Sequence, residues 1–129
     1  MTRDEIIANI DTAWDAWTTA LDGIPPELTG EPGVCRYFST KDLIGHIAFW
    51  DEQDLDRAHK LARGEQVAPN DWQTMNDREY EAHKLDTLEA QTTRMNDAHA
   101  RLSGDVRTLE PIDALQLEET WEHYDAHRE

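Results

Sequence analysis

A chain of 129 residues, 38% of them hydrophobic, is long enough for one buried core and too short for two. Its formal net charge of −16 and the lack of any Lys/Arg-rich cluster argue against nucleic acid and anionic membrane surfaces as partners, because phosphates would be repelled. No apolar run nears the roughly 20 residues that span a bilayer, and MTRDEIIANI lacks the apolar core of a signal peptide, so a cytoplasmic protein is expected. The single cysteine, Cys35, allows neither an intrachain disulfide nor a Cys-based zinc site and reads as an incidental loop residue.

Helical periodicity punctuated by Pro and Gly accounts for nearly the whole chain. A first helix begins after Thr2, with Glu5 completing a Thr-x-x-Glu capping box, and runs to about Leu21. Ile6, Ile10, Trp14, Trp17 and Leu21 form its apolar stripe, in which Trp14 and Trp17 suit core or dimer packing. Pro and Gly residues crowd Gly23 to Gly33 and stop it there. A second amphipathic helix starts on a Ser39 or Thr40 cap and runs to a Gly64 stop. A third spans Asn70 to about Leu102, ended by Ser103 and Gly104. At 1.5 Å per residue it would be roughly 48 Å long against about 30 Å for the first, so a kink or break is expected between Asp77 and Thr92. A last helix opens at Pro111, a favoured first helical residue, and continues to the end of the chain. Four amphipathic helices predict an all-α, four-helix-bundle domain over residues 1–129.

The closing WEHYDAHRE places His123 and His127 four apart, so both imidazoles project from one helical face and can reach one metal ion. The spacing alone permits a site without proving one. On a helical wheel Ile112, Gln116, Glu119, Thr120, His123 and His127 share a narrow stripe with apolar neighbours on both sides, which turns it inward. Buried imidazoles need partners. His46 is the best third ligand, since Leu43, Ile44, Ile47 and Trp50 put it on the buried face of the second helix, whereas His59, His83 and His99 sit among charged residues. Glu119 could accept a proton or orient an imidazole, or could be a surface carboxylate. Tyr124 could donate to a bound oxyanion, though a packed aromatic is the better reading. Phe49, Trp50 and Gln53 fall within a turn or two of His46 as candidate pocket residues, with core packing an equal explanation for the two aromatics. Trp121 lies opposite the histidine stripe, where an exposed indole would suggest a subunit interface.

The stretch FSTKDLIGHIAFWDE resembles the second-helix signature of the DinB/YfiT-like superfamily, WEHYDAHRE is similar to its last-helix His-x-x-x-His, and NDWQTMNDREY resembles the opening of its third helix, especially in the ClbS/DfsB-like branch. The likeness implies a four-helix bundle in up-down-down-up order, often a homodimer, with one metal, usually zinc or nickel, held by His46, His123 and His127, and with Asn76 in the pocket. It departs from the pattern in Phe38, where relatives commonly have Trp, and in closing two residues after His127, where a terminal turn frays. Relatives include thiol S-transferases using low-molecular-weight thiols, hydrolases and isomerases, so the expected function is a metal-dependent hydrolase or thiol S-transferase acting on a small electrophilic compound. The alternatives are a non-catalytic bundle that sequesters a small molecule, and a structural dimeric helical protein with an empty histidine cluster.

Overall fold

Helix starts are built on side-chain oxygens. A computed structural model describes residues 2–30, 38–68, 71–109 and 118–127, in five α-helices and a 3-10 turn at Pro26–Leu28. Helix α1 (Arg3–Asp22) begins at Thr2, whose hydroxyl oxygen accepts the Glu5 N–H at 3.2 Å. The Glu5 carboxylate in turn accepts from the Thr2 hydroxyl. Helix α2 (Thr40–Ala62) takes Ser39 as its cap, with a reciprocal pair to Asp42, both bonds 3.1 Å. Asp71 caps α3 (Trp72–His83) and Thr87 caps α4 (Leu88–Asp105). Each such cap is worth about 1 kcal/mol. Helix α5 is described over Glu118–His127, and its expected start at Pro111 lies outside the described residues.

The long third helix of the sequence reading is two helices, broken at 84–87, inside the expected interval. Lys41 holds the break to the first turn of α2, its ammonium donating to the carbonyls of Lys84 (2.6 Å) and Asp86 (2.8 Å). The Lys84 carbonyl, at the cap of α3, is one that the end of a helix leaves without an intrahelical donor, and the Asp86 carbonyl lies in the linker. The expected stop at Ser103 and Gly104 is not where α4 ends; both residues are helical and the helix reaches Asp105. Burial of Val106, 1% exposed, rewards the extra turn, and the Arg3 guanidinium donates to the Val106 carbonyl at 2.7 Å. Packing has overridden the stop signal of a single glycine. At the end of α2 the expectation holds, with Gly64 at φ +78°, the left-handed conformation that terminates helices.

Helix α2 is central, packing most extensively on α4 and also on α3 and α5, while α1 packs on α5. The core collects Ile6, Ile10 and Trp17 from α1, Leu43, Ile44 and Ile47 from α2, Met95 and Leu102 from α4, and Tyr124 from α5. Trp14 and Leu21, expected on the same stripe, are partly buried against it. The Trp17 indole N–H donates to the Met95 sulfur at 3.3 Å, satisfying its one polar atom in an apolar setting. No strand occurs among the described residues, so the fold is all-α. No described helix is long and apolar enough to cross a membrane.

The α2–α4 contact depends on Gly45, where an added Cβ would sit 2.5 Å from the Gln91 amide nitrogen and 2.6 Å from its Cδ. Gln91 is itself 2% exposed and has little room to retreat. Gly104, in contrast, has nothing among the described residues within 4 Å of its missing Cβ. Gly45→Ala is therefore expected to destabilise by about 1–3 kcal/mol through overpacking. Gly104→Ala should stabilise by about 0.5–1 kcal/mol through helix propensity. Urea midpoints of the two variants against the parent check both signs.

Candidate metal centre

Two hydroxyl groups dock α5 on α2. Thr120, fully buried, donates to Asp54 Oδ2 at 2.9 Å, and Tyr124, also fully buried, donates to Asp51 Oδ2 at 2.6 Å. The Tyr124 oxygen also meets His99 Nδ1 at 3.0 Å, and the His99 ring lies flat on Trp14, centroids 3.7 Å apart and planes 4° from parallel. This arrangement joins α5 to α1, α2 and α4 at one point.

With α5 so placed, His123 Nε2 comes 3.0 Å from His46 Nε2, and one ligating nitrogen from each of His46, His123 and His127 lies within 4.8 Å of the others. Zinc takes imidazole nitrogens at about 2.0–2.1 Å, which separates two ligands of one ion by roughly 3–3.4 Å. The first pair is already at that spacing, so these three side chains form a possible metal site.

Burial keeps the imidazoles neutral. Desolvation, then the nearby His127, lowers the His46 pKa to about 4. His123 is held well below its usual value by burial first, then by His46 and His127, and burial lowers His127 as well. A neutral imidazole keeps the lone pair that metal coordination requires. His46, His123 and His127 thus converge as the sequence reading expected.

Beside them is a cleft of about 380 Å³ lined by His46, Trp50, Asp54, Trp72, Asn76, Glu122 and His123. Its α2 wall is the i, i+4, i+8 row that starts at His46, and its α3 wall is the i, i+4 pair Trp72 and Asn76. Trp50 and Asn76 therefore line the cleft. Phe49 and Gln53 do not; both are half-buried, with Phe49 edge-on to Trp50 at 5.2 Å. The i+4 row precesses by about 40° per step. The cleft follows it and leaves Phe49 on the opposite flank.

Asp54, Trp72 and Glu122 are the lining residues that the sequence reading missed. Extending the i+4 row from His46 beyond Trp50 would have found Asp54. Trp72, 57% exposed, carried no periodic signal. Tyr124 is packed, and its committed hydroxyl makes it an anchor of α5 rather than an oxyanion donor. The side chains of Glu119 and Trp121 lie outside the described residues.

The remaining histidines divide. His59 pairs with Asp105 at 2.8 Å and His83 with Asp86 at 2.6 Å, in line with their charged surroundings. His99 corrects the expectation, because its ring is half-buried under Trp14, and desolvation lowers its pKa to about 4 against the opposing pull of Asp11 and Asp15. Its charged sequence neighbours point to other faces of α4.

Comparison with known proteins finds no matching family model, no matching curated protein and no matching solved structure.

A folded-state pKa of about 4 for His46 lies below the unfolded value of 6.5, so the unfolded chain binds the extra proton between those values. Stability must therefore fall as pH drops from 6.5 through 4. In metal-free protein the parent should lose on the order of 2–3 kcal/mol more than His46→Phe between pH 7 and pH 4. Thermal unfolding of both proteins across that range measures the difference, and the opposing contribution of Asp51, whose pKa burial raises, cancels between them.

Proposed function

We propose that the chain is a DinB/YfiT-like four-helix bundle in up-down-down-up order, forming a homodimer, and that it works as a metal-dependent hydrolase or thiol S-transferase on a small electrophilic compound. The observation that carries this reading is the convergence of three neutral imidazoles from α2 and α5 beside a cleft large enough for a small molecule. Imidazole suits zinc and nickel, and one of these is the proposed occupant. A divalent ion on three histidines supplies Lewis acidity, which polarises a bound carbonyl and eases deprotonation of a water or thiol.

The chain's own residues complete the site. Glu122, next to His123 and lining the same cleft, is placed to take a proton from the attacking nucleophile. Trp50 and Trp72 offer flat apolar walls against which an organic substrate loses its hydration. Asp54 is committed to Thr120 and to Arg57 at 3.3 Å, and so serves to hold α5 rather than to carry protons.

Protein purified without a His-tag should contain close to one zinc or nickel per chain by elemental analysis. His46→Ala and His123→Ala are each expected to weaken metal affinity by at least about 10–100-fold, with His59→Ala unchanged. Equal loss from all three variants would mean surface binding and end the metal reading. Turnover is then assayed with a panel of thiols and electrophiles; tight binding without product would replace the enzyme by the sequestering bundle.

A further inference from the structure

One side-chain pair sets the polar group that the α3 wall offers to the cleft. Trp50 Nε1 lies 2.6 Å from Asn76 Oδ1. An indole nitrogen can only donate, whereas a primary amide can present either its oxygen or its nitrogen. The choice between those two ends is ordinarily inferred from the surrounding network. Here the donor-only partner makes that choice, drawing the Asn76 oxygen to Trp50 and leaving the NH2 group as the other polar end. That group has no hydrogen-bond partner among the described residues, and Asn76 lines the cleft one helical turn from Trp72. Trp50 has its only polar hydrogen engaged and presents apolar surface alone.

A two-proton donor beside an exposed indole selects an acceptor-bearing, flat molecule. An anionic acceptor is disfavoured, because Asp54 and Glu122 line the same cleft in a chain of net charge −16. A cation is drawn by those carboxylates but offers no acceptor to the Asn76 NH2 group, so it leaves that donor unused. A neutral carbonyl satisfies the Asn76 NH2 without meeting carboxylate repulsion.

We propose that the cleft recognises a neutral carbonyl compound of the amide, ester or lactam class, its oxygen accepting from the Asn76 NH2 group and its flat body lying on Trp72. Asn76 touches the ligand, and Trp50 is the positioning residue that fixes which end of the amide faces it. The inference deepens the enzyme reading and rests on it for its chemistry, since a carbonyl carbon is an electrophile of the kind that reading requires. Recognition itself belongs to α2 and α3 and does not pass through the imidazoles.

The test uses three probes of one shape, benzamide, benzoate and benzylamine, titrated into 15N-labelled protein once with zinc and once with a chelator, following the Asn76 side-chain NH2 resonances. Benzamide should move those resonances downfield and bind about 3–10-fold tighter than benzoate, the range one neutral hydrogen bond supplies, whereas benzylamine, drawn by the carboxylates, should leave them without that downfield shift. Asn76→Asp, which still accepts from Trp50 but has no NH2 to donate, should weaken benzamide binding, and Trp50→Phe should weaken it although Asn76 is intact. Backbone amide spectra of both variants establish that they are folded, and a purely structural role for the pair would change stability without changing the order of the probes. The preference appearing in both zinc and chelator supports the inference, and appearing in a protein that takes up no metal it supports recognition while the metal reading fails. Metal uptake with benzoate bound as tightly as benzamide, or with no benzamide shift at Asn76, overturns the inference and leaves the metal reading standing.

Discussion

The position of α5 depends on two buried hydroxyl-to-carboxylate hydrogen bonds, Thr120 to Asp54 and Tyr124 to Asp51, and the three-histidine cluster follows from that position. Apolar contact alone would hold α5 loosely in rotation, since Tyr124 is its only buried hydrophobic side chain among the described residues. Hydrogen bonds to carboxylates in a low-dielectric core are directional and strong enough to set that rotation. His123 precedes Tyr124 and His127 follows it by three, so fixing the Tyr124 hydroxyl aims both imidazoles. The anchor is itself costly. Burial raises the Asp51 pKa, with the Tyr124 hydrogen bond opposing that shift, and Asp51 Oδ1 has no hydrogen-bond partner among the described residues. Holding such a group in the core is a sign that position, rather than stability, is what the pair supplies.

Desolvation also explains why this acidic protein has neutral histidines at its centre. Nearby carboxylates would raise an imidazole pKa, as Asp11 and Asp15 tend to do for His99, yet burial dominates there and at His46. His59 and His83 sit against carboxylates at the partly exposed surface instead. Two classes of histidine result from one composition, separated by access to water. The buried class retains lone pairs, and the surrounding negative charge favours the approach of a cation to them.

The cleft and the histidine cluster share α2 because its i+4 row runs from His46 into the lining: His46, Trp50, Asp54. Asp54 thereby serves two surfaces, facing the cleft and bonding Thr120. The break at 84–87 lets α3 form a wall separate from α4, with Lys41 tying it to the start of α2. A continuous helix would have placed Trp72 and Asn76 far along a single rod overhanging the bundle.

The local chemistry was legible in the chain: the Thr2 and Ser39 caps, the Gly64 stop, the need for a break after Asp77, and the i+4 spacing that puts His123 and His127 on one face. All of these depend on backbone geometry within one or two turns, which repeats in every helix. The inward direction of the histidine stripe was legible too, because apolar neighbours on both sides mark a buried face. What lay beyond reach were partners on other helices. Charged neighbours hid the burial of His99, the hydroxyl of Tyr124 gave no hint of Asp51, and α4 continued through Gly104 because Val106 found a buried place. Periodicity along the chain thus determined which residues share a face and that three histidines could meet. Only the tertiary packing decided what each face meets, since contact between helices depends on how complementary surfaces fit, and no residue carries that information in its own sequence neighbourhood.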